Sequence, residues 1–200
     1  MEYENIIFDV GDVLLEYRCK WMLVDYGLSE SEAERVGREL LDDPDGLWNE
    51  MDLNIMSDEE IKAAYCKKHP QDSGAISFFL DHGEYMSVPR PDVWREVHRL
   101  KEKGYHIYLL SNYPETLFKK HTRYADFMKD IDGAMVSYMI HKMKPDFAIY
   151  QALCDKYLLD KSKCLFFDDR KANVDAAIAF GMNSTLVTSR QFLLDELKKL

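Results

Sequence analysis

The chain has 200 residues, with 36 acidic against 26 basic side chains and a formal net charge of −10. That balance leaves nucleic acid out as a partner, because nothing here would release the counterions condensed along a phosphate backbone. An apolar share of 46%, with twelve Tyr and ten Phe, suffices for a packed core and rules out a disordered chain.

Four cysteines, Cys19, Cys66, Cys154 and Cys164, form no CxxC pair and no dense framework, which points to buried thiols in a reducing compartment. The N-terminus is acidic, without a basic segment leading into an apolar one, and no apolar run approaches the ~20 residues that span a bilayer. The expectation is a soluble, cytoplasmic protein with no membrane partner. Oligomeric state carries no signal in the sequence.

The first expected element is a strand over "NIIFDV" (5–10), whose apolar run ends at Asp9 before the chain turns through Gly11 to Asp12. Residues 16–86 then read as helix after helix with no convincing strand. Ser29 with Glu32, and Ser57 with Glu60, have the spacing of capping boxes, while "LLDDPDG" and "KKHPQDSG" are turns by composition. These helices are expected to form a separate all-helical subdomain, over one edge of a sheet, inserted into a core made of residues 1–15 and 87–200.

From residue 89 onward, helices and strands alternate. "RPDVWREVHRLKEKG" puts Val93, Trp94, Val97 and Leu100 on one face and stops at Gly104. Strands follow at "YHIYLLS" (105–111) and "GAMVSY" (133–138). A helix over "KPDFAIYQALCDKYL" leads to the strand "KCLFFDD" (163–169), and a helix over "NVDAAIAFG" to "STLVTS" (184–189). Continuous rather than alternating hydrophobicity fits strands covered on both faces. The expected fold is therefore α/β: a Rossmann-like open parallel sheet flanked by helices, with the helical insertion after its first strand.

In such sheets ligands bind beyond the carboxyl ends of the strands. Those ends carry Asp9, then Ser111 and Asn112, then Lys144, then Asp168 and Asp169, with Asn173 a short turn later. Each alone is an ordinary turn former or helix cap. Together and in this order they suit phosphoryl chemistry. A carboxylate can attack phosphorus and leave again. Converging carboxylates repel unless a cation such as Mg²⁺ sits among them. A lysine and a hydroxyl can hold the transferring oxygens.

On these residues the chain resembles a known family. "FDVGDVLL", "LLSNYPE", "KPDFAIY" and "LFFDDRKANVDAA" are similar to the four motifs of haloacid dehalogenase-like (HAD) hydrolases, over almost the whole length from Asn5 to Val187. The inserted helices at 16–86 resemble that superfamily's helical cap. The first and fourth motifs look most similar to bacterial sugar-phosphate phosphatases, the group that includes alpha-D-glucose-1-phosphate phosphatases. The resemblance implies Asp9 as nucleophile, with Ser111, Asn112 and Lys144 binding the phosphoryl group. It implies Asp9, Asp169 and the Gly11 backbone oxygen as Mg²⁺ ligands, and Asp168 and Asn173 as supporting residues. The implied partner is a small phosphorylated metabolite.

One position departs from the pattern. Most phosphatases of this superfamily carry a second Asp two residues after the nucleophile, as proton donor to the leaving alcohol; here it is Gly11. Losing such a donor typically costs about 10²–10⁴-fold in rate. Asp12 is one residue too far along and is expected to cap or face solvent. Three readings follow: a phosphatase that manages without this group, a 2-haloacid dehalogenase, or a non-catalytic relative that binds a phosphorylated ligand or a partner protein. The phosphatase reading leads, because a dehalogenase leaves Asp168 and Asp169 unexplained and binding alone does not require Asp9. In the insertion, Tyr17, Arg18 and Trp21 are the first candidates to face the site, and Trp48 is expected in the packed interior of the helices. The six histidines show no zinc-ligand spacing, and no phosphate-binding P-loop occurs.

Overall fold

The computed structural model describes residues 2–200. Strand β1 (Asn5–Phe8) is buried throughout, with Ile6 and Phe8 facing one apolar layer and Ile7 the other. After a short β2 (Leu15–Tyr17) come five helices, α1 (Cys19–Tyr26), α2 (Glu30–Leu41), α3 (Leu47–Asp52), α4 (Asp58–Lys68) and α5 (Ser73–Asp81). Both expected capping boxes are present: Ser29 and Glu32 open α2, Ser57 and Glu60 open α4, each pair satisfying backbone donors that would otherwise face water. The chain returns through β3 (Ser87–Pro89) into α6 (Pro91–Glu102), which starts at a proline and buries Val93, Val97 and Leu100 on one stripe.

The remainder is β4 (His106–Ser111), α7 (Glu115–Thr122), β5 (Gly133–Val136), α8 (Ser137–Ile140), α9 (Phe147–Tyr157), β6 (Cys164–Asp168), α10 (Lys171–Phe180), β7 (Asn183–Leu186) and α11 (Arg190–Lys199), alternating as expected except that the strand expected over 133–138 stops at Val136 and a short helix takes Ser137 and Tyr138. Five strands pair in the order β5-β4-β1-β6-β7, all parallel. Strand β1 lies at the centre between β4 and β6, so the strand order reverses beside it and a crevice opens at its carboxyl end.

One expectation for residues 16–86 is corrected. Glu16 and Tyr17 lie in β2, which pairs antiparallel with β3: Leu15 opposite Pro89, Glu16 opposite Val88 and Tyr17 opposite Ser87. Three residues are too few to show a period of two, and their partners lie some seventy positions away, so nothing local announces them. This ribbon is where the chain leaves the sheet and comes back. The helices sit over the carboxyl ends of β4 and β5, the two strands at one edge of the sheet. The Ser137 hydroxyl donates to the Asp52 carbonyl (2.6 Å), and His141 Nδ1–H donates to the Leu53 carbonyl (2.7 Å). Beside them, His121 accepts from the Tyr113 hydroxyl at Nδ1 (2.6 Å) and donates from Nε2 to the Gly83 carbonyl (2.7 Å).

The loop after β1 is clamped from α6. Arg90, 7% exposed, donates from Nη1 to the carbonyls of Asp12 (2.5 Å) and Val13 (3.2 Å), and Trp94 Nε1 donates to the Leu14 carbonyl (2.7 Å). A buried guanidinium whose Nη1 donates to two backbone carbonyls holds that loop against the core. Among the described residues, no helix is long and apolar enough to cross a membrane.

Candidate active site

Asp9 stands just past β1, Ser111 closes β4 and Asp168 closes β6. Because β1 pairs in parallel with both neighbours, the three side chains end side by side at the head of the crevice. The Asp9 backbone N–H donates to the Phe167 carbonyl (2.9 Å), which fixes the height of its carboxylate. Asp9 Oδ1 accepts from the Val10 N–H (2.7 Å) and from the Ser111 hydroxyl (2.5 Å). Its Oδ2 lies 3.1 Å from the ammonium of Lys144.

Lys144 comes from the loop between α8 and α9, and its side chain is fully buried. Its Nζ donates to the Leu110 carbonyl (2.9 Å) and to Asp168 Oδ2 (2.6 Å). Asn112 holds this loop by a reciprocal pair: its Nδ2 donates to the Lys144 carbonyl (2.9 Å) and its Oδ1 accepts the Lys144 N–H (2.8 Å). With its side chain occupied in this way, Asn112 positions Lys144. Asp168 is fully buried and fully partnered: it accepts from Asn173 Nδ2 at both oxygens (3.0 Å each) and from the Arg170 N–H (2.8 Å).

Asp9, Asp168 and Asp169 can bring one carboxylate oxygen each within 4.8 Å of one another. One buried ammonium does not balance three such groups. Burial, partly offset by Lys144 and reinforced by the Asp168 charge, pushes Asp9 up to about 7. Burial, with Asp168 and Asp12 nearby, pushes Asp169 up to about 6. Burial opposes the charge on Lys144, but the Asp168 and Asp9 carboxylates outweigh it and raise its pKa. The site thus holds a surplus of hard, anionic oxygen donors around a single buried ammonium. That donor set fits a divalent ion such as Mg²⁺ and would not suit a soft metal.

Asp9, Asn112, Lys144, Asp169 and Asn173 line a cleft of about 620 Å³ between the sheet and the helices, and Gly11 lies in its wall. A Cβ at Gly11 would lie 2.5 Å from Tyr17 Cε2, so the half-buried Tyr17 ring fills the room in which a side chain at this position would stand. Asp12 caps, as its spacing suggested: its Oδ1 accepts the Tyr17 N–H (3.0 Å) at the start of β2. Of the three residues expected to face the site from the insertion, only Tyr17 lines the cleft. Arg18 is turned away to donate to Asp25 (2.5 Å), and Trp21 is 49% exposed outside the cleft. Trp48 packs edge-on against Phe79 with ring centroids 6.3 Å apart, yet it also reaches the cleft wall.

Four charged residues of the cleft had not been singled out: Asp42 and Asp43 after α2, Asp52 at the end of α3 and Arg170 after β6. Arg170 was signalled by its place directly after Asp169. Asp52 had no signal, being one of several acids in a polar helical stretch.

The fold thus gathers carboxylates, a hydroxyl and a buried amine at the carboxyl ends of its parallel strands. The family profile described as haloacid dehalogenase-like hydrolase matches residues 3–181, and the chain belongs to that family. It is 22% identical over 132 residues to the (S)-2-haloacid dehalogenase 4A of Burkholderia cepacia; the match takes in 66% of this chain and only 57% of that protein's length. A HAD family enzyme of Bacteroides thetaiotaomicron, solved in complex with magnesium and inorganic phosphate, shares the fold at a TM-score of 0.72 and 20% identity, over 92% of this chain and 93% of that one. A HAD-like family hydrolase of Porphyromonas gingivalis does so at 0.72 and 21%, over 100% and 98%.

Proposed function

We propose that the chain is a Mg²⁺-dependent phosphatase that hydrolyses a small phosphorylated metabolite, a sugar phosphate, through an aspartyl-phosphate at Asp9. One observation carries this reading: three carboxylates converge within 4.8 Å around one buried ammonium. Expelling a halide from carbon asks for no cation, so in a dehalogenase Asp168 and Asp169 would be repulsion without use. Phosphoryl transfer asks for concentrated positive charge around the transferring oxygens.

In this reading residues 16–86 act as a cap over a core of residues 1–15 and 87–200. Asp9 attacks phosphorus, its carboxylate held by the Val10 N–H as the Ser111 hydroxyl turns from Asp9 to the bound phosphoryl group. The Ser111 hydroxyl and the Lys144 ammonium hold phosphoryl oxygens, and Asn112 places Lys144. Asp9, Asp169 and the Gly11 carbonyl would hold Mg²⁺, which when bound supplies counter-charge to the phosphoryl group. Asp168 and Asn173 support: Asn173 anchors Asp168, and Asp168 orients Lys144. Water then attacks the aspartyl-phosphate, freeing Asp9 and inorganic phosphate. The Bacteroides thetaiotaomicron neighbour, bound to magnesium and phosphate, supports the cofactor and the product. The resemblance of the motifs to alpha-D-glucose-1-phosphate phosphatases supports a sugar 1-phosphate, whose anomeric oxygen leaves more readily than an ordinary alkoxide.

A second reading, 2-haloacid dehalogenase, is favoured by the Burkholderia cepacia relative. One experiment separates them: phosphate release from a panel of sugar phosphates and p-nitrophenyl phosphate, with Mg²⁺ and then with EDTA, beside halide release from a 2-haloacid. Magnesium-dependent phosphate release is the expected result. Halide release insensitive to EDTA would replace the phosphatase reading by the second. Silence on both arms, from folded protein that binds Mg²⁺, would point to a non-catalytic relative.

The raised carboxyls make metal binding visible in stability. Asp9, Asp169 and Asp52, held at about 7, 6 and 8, bind more protons folded than unfolded between their ordinary values near 4 and these raised ones. Their contribution to the metal-free fold is therefore largest at low pH within that window and shrinks as pH rises toward 8. Mg²⁺ must displace the protons on Asp9 and Asp169, so it is expected to raise Tm little at about pH 5 and most at about pH 8. Thermal melts in EDTA and in Mg²⁺ check this; a magnesium shift equal at both pH values would contradict it.

A further inference from the structure

Phosphate-ester cleavage leaves an alkoxide that needs a proton, and Gly11 has no side chain to give one. Nor can the position readily gain one, since the Tyr17 ring occupies the adjoining space. The cleft nevertheless contains an acid that the steps above do not use. Asp52 is 6% exposed, lines the same cleft as Asp9, and its buried Oδ1 accepts no hydrogen bond. A buried carboxyl oxygen without a donor is rare in folded proteins and asks for an explanation.

We propose that Asp52 is the proton donor to the leaving-group oxygen, reaching the reacting centre from the helical insertion in place of the side chain that Gly11 lacks. The proposal rests on the phosphatase reading. In the first step an Asp9 oxygen forms a bond to phosphorus while the bond from phosphorus to the ester oxygen breaks. The ester oxygen keeps that electron pair and takes the Asp52 proton, leaving as a neutral alcohol. In the second step water attacks the aspartyl-phosphate, its proton returns to the Asp52 carboxylate, and the bond from phosphorus to Asp9 breaks. Asp52 ends as it began.

The surroundings suit the task. Asp52 closes α3, and the negative end of a helix disfavours a further negative charge. Burial, and after it the charge of Asp9, push Asp52 up to about 8, with Arg170 and Lys144 opposing, so the group carries its proton at neutral pH. Tyr17, the other hydroxyl-bearing group at Gly11, is held by burial well above 10 and is the weaker acid. Delivery is coupled to docking of the insertion. The Asp52 carbonyl is bound by the Ser137 hydroxyl at 2.6 Å and the next carbonyl, of Leu53, by His141 at 2.7 Å. Closure over a substrate thus brings the acid into place as it excludes water.

The test compares the parent protein with Asp52→Asn, in Mg²⁺, on two esters that differ in leaving group: an alkyl sugar phosphate and 2,4-dinitrophenyl phosphate, whose phenolate leaves without a proton. The kcat/KM value reports the ester-cleaving step. Asp52→Asn is expected to lower it about 10²–10³-fold for the alkyl ester and less than about 10-fold for the aryl ester. Retained aryl turnover also shows that the variant folds. Asp52→Ser serves with the same two esters if the Asn variant does not fold. Equal losses on both esters would assign Asp52 a structural role and overturn the proposal, as would no loss on either. A parent protein silent on both esters would instead overturn the phosphatase reading, and this assignment with it.

Discussion

Asp9→Asn is expected to lower phosphate release by about 10⁴-fold or more without loss of the fold, because the variant removes the group that bonds to phosphorus and nothing beside it can take over. Asparagine keeps an oxygen for the Ser111 hydroxyl and the Val10 N–H, which now bond Asp9 Oδ1 at 2.5 and 2.7 Å. It also removes one charge from a crowded, desolvated set in which Asp9 is pushed up to about 7. The metal-free variant should therefore melt at or above the parent at about pH 8, and the Mg²⁺-dependent rise in Tm should shrink. Turnover at the parental rate would show that another group attacks. A lower melting temperature in EDTA at that pH would show that the Asp9 charge is better compensated than its neighbours suggest.

Lys144→Met carries the second large effect, on stability as well as turnover. The buried ammonium lies 2.6 Å from Asp168 and 3.1 Å from Asp9, and methionine leaves both carboxylates without it. Removing one partner of a buried ion pair costs about 3–5 kcal/mol. For a domain of this size that lowers Tm by roughly 6–20 °C. Pairing the change with Asp168→Asn removes the stranded charge, so the double variant should recover much of the stability while turnover stays lost. Equal melting of Lys144→Met and parent at about pH 8 would show that the ammonium does not compensate these carboxylates. Double-variant stability no better than the single would show that the loss comes from packing of the lysine stem.

Much of the candidate site was legible because its residues sit at strand ends. The runs ending at Asp9, Ser111 and Asp168 are apolar throughout, as strands covered on both faces must be, and parallel pairing aligns their carboxyl ends. Order along the chain therefore became adjacency in space. Lys144 was legible from its place between the third strand and the next helix, although its fully buried ammonium was not. Arg18 and Trp21 misled because nearness in sequence to Asp9 was taken for nearness in space. The β2–β3 ribbon intervenes, and the chain leaves it with Arg18 turned to Asp25. Asn112 was placed correctly, but the structure gives its side chain to the Lys144 backbone.

By itself the sequence determined the alternation of buried strands and amphipathic helices, the helical insertion after the first strand, the capped starts of α2 and α4, and the set of carboxylates, hydroxyl and amine at the strand ends. All of these follow from local periodicity and local hydrogen bonding, which a short window contains. Only the tertiary structure decided that Tyr17 fills the space beside Gly11, that Arg90 clamps the loop after β1, and that Asp52 enters the cleft with an unpartnered oxygen. Each of those depends on how the insertion docks on the sheet. Docking is decided by packing and by contacts such as Ser137 to Asp52, between residues 85 positions apart. No window short enough to show a periodicity spans such a distance.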